Sequence, residues 1–381
     1  MGCHSYYLSR YRKKGYNPQI LYYGANTMTV SKNVVHSVKE QSHYLTKKLM
    51  DLKLVPPDHL QIIEKACKNL PFNITAHLLK MLEHQNEHSP ISRQFIPSPL
   101  ECKVGEDELS DPIGDASHSP VKGIIHRYPD RVLLTPTLTC PVYCRFCFRR
   151  ESVGHGLLKK LELERALEYI KTNSDIWEVI LSGGDPFTLS SRRLKDLISN
   201  LEKIEHVGVI RIHTRVPIVD PDKITGRLIS AIKSKKPVFI VVHCNHSDEL
   251  IPETEEAIAR LVDNGFPLLA QTVLLKGIND NANTLKTLMK RLVKCRVKPY
   301  YLHHGDKAEG TSHFRTTITT GQKLVKKLRG SVSGLCQPNY MLDIPNGHGK
   351  VPIGPSYLEA SEDMNWNITD WKGVKHQYRD E

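Results

Sequence analysis

Three cysteines stand close together in this 381-residue sequence, as Cys140-Pro-Val-Tyr-Cys144-Arg-Phe-Cys147, a C-x3-C-x2-C cluster. Thiolates bind iron and zinc well, and a closed structural zinc site takes four ligands. No fourth Cys or His follows Cys147 at a matching spacing. Three thiolates on a cubane iron–sulfur cluster leave one iron without a protein ligand, open to a small molecule. A zinc site completed by a distant histidine, and three plain core thiols, are the competing readings of the same spacing. Cys3, Cys67, Cys102, Cys244, Cys295 and Cys336 show no metal spacing, and buried thiols account for them.

The cluster has to be held by something regular, and the chain around it alternates. Strand-like runs fall at 132–135, 178–181, 207–212, 238–242, 268–273, 298–302 and 340–344. Between them lie helical patterns such as Leu163, Ala166, Leu167, Ile170 and Leu194, Leu197, Ile198, Leu201. This alternation is that of a parallel sheet with crossover helices. Six βα units and a closing strand fall short of the eight of a full barrel, so the expected fold is α/β, an incomplete (βα)6 barrel. No glycine fingerprint follows the first strand, which weighs against a doubly wound sheet. Polar and glycine-rich clusters recur at the ends of successive strands. They are the cysteine run, Ser182-Gly183-Gly184-Asp185, Arg211-Ile-His213-Thr214-Arg215, His243-Cys-Asn245-His246, Lys276 to Asn281, His303-His-Gly-Asp306 and Asp343 to Lys350.

Composition sets the outer bounds. Hydrophobic content of 39% and charged content of 25% are ordinary for a globular protein and exclude collagen-like or wholly disordered chains. No stretch approaches the roughly 18 to 20 apolar residues of a membrane helix. Lys+Arg 53 against Asp+Glu 41 gives +12, spread along the chain rather than clustered with aromatic residues as a nucleic-acid face requires. Nine irregularly spaced cysteines without a secretory signal point to a reducing compartment, the cytoplasm. The first acidic residue is Glu40. Residues 1–29 read as a disordered arm or an extension upstream of a start at Met28, with an organelle-targeting segment as the rival reading. Residues 30–90 read as helical, with Val34, Val38, Leu60, Ile63, Ala66 and Leu70 at spacings of three and four. Residues 91–122, rich in Pro, Gly, Ser and Asp, read as an extended linker. The barrel is expected over 123–358, with a short tail over 359–381.

The cysteine spacing after the first strand of a partial barrel resembles the radical S-adenosylmethionine superfamily. The match tightens in order along the chain: His126-Arg-Tyr-Pro-Asp-Arg131, the cysteine run ending Phe-Arg149-Arg150, Ser-Gly-Gly-Asp, Arg-Ile-His-Thr-Arg-Val-Pro, His-x-Asn-His, Gln271 to Asp280, Pro-Tyr-Tyr-Leu-His-His-Gly-Asp306 and Gly-Lys350-Val-Pro. Over roughly 90–358 this ordered set resembles the lysine 2,3-aminomutase family.

That resemblance implies a 1,2-shift of an amino group, from L-lysine to β-lysine, with a [4Fe–4S] cluster, S-adenosyl-L-methionine and pyridoxal 5′-phosphate as cofactors. It implies that Cys140, Cys144 and Cys147 hold the cluster and that Lys350, in a glycine-rich loop, carries pyridoxal phosphate. Arg127, Tyr128 and Arg131 would meet that cofactor, the arginines through its phosphate. Ser182, Gly183, Gly184 and Asp185 would contact the methionyl group, with Arg215, His243, Asn245 and His246 on the same side. Arg149 would grip the substrate carboxylate, while Asp280 and Asp306 would receive its side-chain ammonium, favouring lysine over glutamate and leaving arginine open. The resemblance also implies a reducing partner such as flavodoxin or ferredoxin, leaves a homo-oligomer open, and includes no membrane or nucleic-acid partner. Two features depart from the family: Asn346-Gly-His-Gly before Lys350 is not an all-glycine run, and no cysteine follows Leu358. The second withholds the zinc and the subunit assembly of longer members. The short tail keeps open the branch that makes β-lysine for modifying elongation factor P.

Overall fold

The computed structural model describes residues 46–381 except 84, 155 and 362–363. The expectations for 1–29, and for Val34 and Val38, lie outside the described residues. Seven strands alternate with helices: β2 (Arg131–Thr137), β3 (Glu178–Gly183), β4 (Val209–Thr214), β5 (Val238–His243), β6 (Leu268–Val273), β7 (Lys298–His303) and β8 (Asn339–Ile344). All seven are mutually parallel neighbours in chain order. The six crossovers and closing strand are those expected, and the fold is an incomplete α/β barrel. Two antiparallel arms, β1 (Ile124–Tyr128) and β9 (Gly349–Pro352), extend its edges. Lys350 therefore lies on a strand, paired across the ladder with Asp343, and not in a free loop.

Burial explains why the pattern was readable. In β3 the four central residues are all buried, as suits a strand covered on both faces. Helix Ser191–Glu202 turns Leu194, Leu197, Ile198 and Leu201 inward, and the Ser190 hydroxyl accepts from the Arg193 N–H at its start. Helix Ala282–Lys294 buries Leu285, Leu288, Met289 and Leu292 behind an Asn281 cap. Helix Ile318–Leu328 crosses so close to β8 that a Cβ on Gly321 would lie 1.9 Å from the Tyr340 hydroxyl. Among the described residues no helix is long and apolar enough to cross a membrane.

The segments outside the barrel are more structured than their composition suggested. Residues 91–122 hold most of helix Pro90–Phe95 and the short turns Pro99–Cys102 and Ala116–His118, and they bury Phe95, Gln94 and Glu101. They form a packed strap, not an extended linker. The tail builds a separate antiparallel sheet from β10 (Leu358–Ala360), β11 (Asn365–Thr369) and β12 (Lys375–Arg379).

Candidate active site

A cavity of about 560 Å³ opens where the parallel strands end. All three clustered cysteines and Lys350 lie on its wall. The cysteines sit in the loop after β2, and packing inside the protein fixes that loop. Arg145, between Cys144 and Cys147, is fully buried. Its Nε and Nη2 donate to the two Glu101 carboxylate oxygens at 2.9 and 2.6 Å, and its remaining donors reach Leu70 O and Pro71 O. Arg150 Nη2 adds 2.8 Å to the same carboxylate. Burial works against the Glu101 charge, but the two guanidinium groups outweigh it and hold this carboxyl below its ordinary range. The strap is thus one wall of the cysteine loop.

The Ser182-Gly183-Gly184 turn packs against the base of the same loop. A Cβ on Gly184 would lie 2.4 Å from Thr139 O, and one on Gly183, at φ +97°, would lie 2.7 Å from the Thr135 Cβ. The two glycines are required by chain-on-chain contact. Ser182 and Gly184 face the cavity, whereas Gly183 is not on its wall. Asp185 is buried with both oxygens in use. Oδ1 accepts from Phe187 N and Thr214 Oγ1, and Oδ2 from Arg215 N and Val216 N. Asp185 ties β3 to β4 and has no oxygen free for a ligand.

Arg215 and His243 also face the cavity, but Asn245 does not. Asn245 is fully buried, with its side chain bonded to Gln94 Oε1, Val273 N and His243 Nε2. His246 caps the turn Ser247–Glu249 through Nδ1 and Asp248 N and is off the wall as well. Burial, reinforced by Arg215, drives His243 well below its ordinary value, so its ring is neutral. Burial pushes the Cys140 thiol far up and Cys147 up to about 11. Thiols held this way become ligands by giving their protons up to a metal. Among the described residues no three His, Cys, Asp or Glu side chains converge on a single metal-ion position. A cubane needs no such convergence, because its three protein thiolates go to different irons.

On the wall of the same cavity the Lys350 amine is bonded to Asp343 Oδ2 and lies 3.4 Å from His303 Nδ1. The Lys350 backbone N–H donates to the Tyr128 hydroxyl at 2.7 Å, which locks β9 to β1. Arg127 Nη2 donates to Ile113 O and Asp115 Oδ1, and Arg149 Nε donates to Asp115 Oδ2 at 2.8 Å. Asp115, in the strap, therefore aligns both arginines. Arg131 lies 3.9 Å over the Tyr128 ring and pairs with Asp130. Arg127 Nε, Arg211 Nε and His213 Nε2 line this cavity, buried and without a partner among the described residues. Unpaired buried polar atoms are costly, and these three, on the wall of the cavity that also holds the Lys350 amine, fit the phosphate and aldehyde of pyridoxal phosphate.

The acidic pair differs from expectation. Asp280 is not on the cavity wall: its Oδ1 accepts from Gly277 N at 2.8 Å and closes its own turn. Asp306 is on the wall, as are Asp343 and Asp115, whose charges both act on it, Asp343 the more strongly. Burial, then Asp343, push Asp306 up to about 7, with Lys350 and Arg149 pulling the other way. Asp343 stood in plain view at the end of the closing strand, where other strands carry polar clusters. Asp115, Gln94 and Glu101 gave no comparable signal.

Comparison with known proteins agrees with this geometry. Residues 134–288 match the family described as Radical SAM superfamily, and residues 325–381 match the family described as Lysine-2,3-aminomutase. The L-lysine 2,3-aminomutase of Acetoanaerobium sticklandii is 36% identical over 349 residues, covering 91% of this chain and 82% of that protein. That of Clostridium subterminale is 37% identical over 83% of this chain and 76% of its own length. The glutamate 2,3-aminomutase of Clostridioides difficile is 34% identical over 81% and 73%. At 34–37% identity over most of its length to these enzymes, the chain belongs to the lysine 2,3-aminomutase family of radical S-adenosylmethionine enzymes.

Proposed function

We propose that this chain is a cytoplasmic isomerase that moves the 2-amino group of L-lysine to C3, giving β-lysine. The observation that carries the choice of substrate is Asp306 sharing with Asp343 the wall of a cavity that also holds Lys350 and the three cysteines. The Asp343 charge and burial disfavour the Asp306 carboxylate until a cation arrives, and with Asp343 itself bonded to Lys350 it is Asp306 that selects an amino acid with a cationic side chain and rejects glutamate. When bound, the [4Fe–4S] cluster with S-adenosylmethionine supplies one-electron hydrogen-abstraction chemistry, and pyridoxal phosphate supplies a carrier for the migrating nitrogen.

The chain supplies the placement. Cys140, Cys144 and Cys147 would hold the cluster, with the Glu101–Arg145–Arg150 clamp setting the loop. Ser182 and the backbone at Gly184 are the wall available to the methionyl group, and His243 lines the same cavity as a neutral ring. Gly183, Asp185 and Asn245 act by holding that wall in place. Lys350 would carry pyridoxal phosphate, and Arg127, Arg131, Arg211 and His213 would hold its phosphate. Arg149, aligned by Asp115, takes the substrate carboxylate, so one loop orients both the radical source and the substrate. His303, kept neutral by burial and by Lys350, accepts a hydrogen bond from the Lys350 amine. A small electron carrier such as flavodoxin or ferredoxin would reduce the cluster.

The test is anaerobic reconstitution. The protein should turn brown, and borohydride should trap pyridoxal phosphate on Lys350. A colourless protein with no adduct there rejects the reading.

A further inference from the structure

Arg215 does more than line the cavity. It follows β4, is 5% exposed, and spends its guanidinium on three partners from three parts of the fold. Nη1 donates to the Cys144 sulfur at 2.8 Å, while Nη2 donates to Gln94 Oε1 at 2.6 Å and Glu249 Oε2 at 2.7 Å. The group also lies 4.5 Å from the Phe95 ring centre and 5.6 Å from that of Phe146, which shield it from water.

Glu249 is equally fixed. It is fully buried, and its Oε1 accepts from the backbone N–H groups of Asn245 and His246, both at 2.8 Å, and from Gln94 Nε2. A buried cation thus touches one cysteine of the cluster motif, and a buried anion of fixed position partly offsets that cation. Positive charge and hydrogen bonds at a cluster sulfur favour the reduced state, because they oppose the electron density that reduction adds. The offsetting carboxylate does the reverse. In a region of low dielectric both effects are strong.

We propose that Arg215 is a positioning residue that orients Cys144 on the iron–sulfur cluster and raises the cluster's reduction potential, with Glu249 as its counterweight and Gln94 of the strap as the hinge between them. The inference rests on the cluster reading above and extends it to how readily an electron enters.

The experiment is an EPR-monitored redox titration of the full chain after anaerobic reconstitution, with iron and acid-labile sulfide counted per chain. Iron and sulfide in the wild type test the cluster reading, and the midpoints of variants test this inference. Arg215→Gln should lower the midpoint, so that at a fixed potential the ratio of reduced to oxidised cluster falls about tenfold, or ~59 mV for one electron. Glu249→Gln, which can still accept from the two backbone N–H groups, should shift it upward. Arg215→Lys should stay closer to wild type than Arg215→Gln. Unchanged midpoints in the Gln variants, or shifts of the same sign, overturn the proposal. If Arg215→Gln takes up no cluster, Glu249→Gln decides alone: a rise supports the proposal, and no change or a fall overturns it.

Discussion

Replacing Asp306 by Asn should make the protein more stable and less active at once, and pH should separate the two effects. The Asp306 carboxyl ordinarily titrates near 3.8, but here burial and Asp343 carry it to about 7. Between those values the folded state holds a proton that the unfolded chain has lost. Stability therefore falls as pH rises through this window, and the full cost is present above about 7. A midpoint displaced this far corresponds to about 4 kcal/mol. Because Asp306 faces an open cavity that water enters, ~1–3 kcal/mol is the expected net gain on removing the charge. Thermal melts of wild type and Asp306→Asn, freed of pyridoxal phosphate and lysine, should differ by several degrees at pH 8 and coincide near pH 4. The same substitution should lower kcat/KM for lysine about 100-fold or more, since one carboxylate of a charge-paired site is lost. A variant no more stable than wild type at pH 8, or one that uses lysine normally, would refute the account of the acidic pair.

Other expectations follow from the same contacts. Asp280→Asn should leave lysine turnover within about twofold of wild type, because that side chain only closes a surface turn; a loss like that of Asp306→Asn would return it to the site. Glu101→Gln strands two buried guanidinium groups and should cost ~3–5 kcal/mol in denaturant unfolding, with less iron retained after reconstitution. Unchanged stability would remove the strap from its role as a wall of the cysteine loop. Lys350→Ala should abolish the borohydride-trapped adduct while iron content stays at the wild-type level; loss of both would mean that the lysine supports the fold instead. Lysine affinity should rise with pH up to about 7 and level off above it, as Asp306 loses its proton to receive the ammonium, and the rise should vanish in Asp306→Asn.

What was legible in the sequence was whatever repeats. The parallel strands announce themselves because each buries apolar residues, in alternation in β2, β4 and β6 and almost continuously in β3 and β5, and ends in a polar cluster. Only β4 was displaced, by two residues, where Val207 is buried just ahead of the strand. The edge arms were hidden for a physical reason. β9 reads Gly-Lys-Val-Pro with its last two residues exposed, so no alternation marks it, and its partner is set by the closing strand. The tail sheet is invisible for the same reason, since every residue of β10 and β12 is exposed. Residue type and order single out Cys140, Cys144, Cys147, Lys350, Arg149 and Asp306, and all six lie on the cavity wall. They do not tell which carboxylate at a strand end turns inward: Asp343 lies on that wall and Asp280 does not. The hubs Gln94, Glu101 and Asp115 were unreadable because isolated polar residues in a Pro- and Ser-rich stretch look solvated until three-dimensional packing buries them.

The central claim is that this cavity moves nitrogen between adjacent carbons of lysine. The direct measurement is NMR of the product from L-lysine labelled with 15N at the 2-amino group and 13C at C2 and C3, incubated anaerobically with the reconstituted protein, reductant, S-adenosylmethionine and pyridoxal phosphate. The account predicts that the 15N–13C coupling moves from C2 to C3. Label that stays on C2 in protein with full iron content and the Lys350 adduct, or that migrates in glutamate and not in lysine, would contradict it.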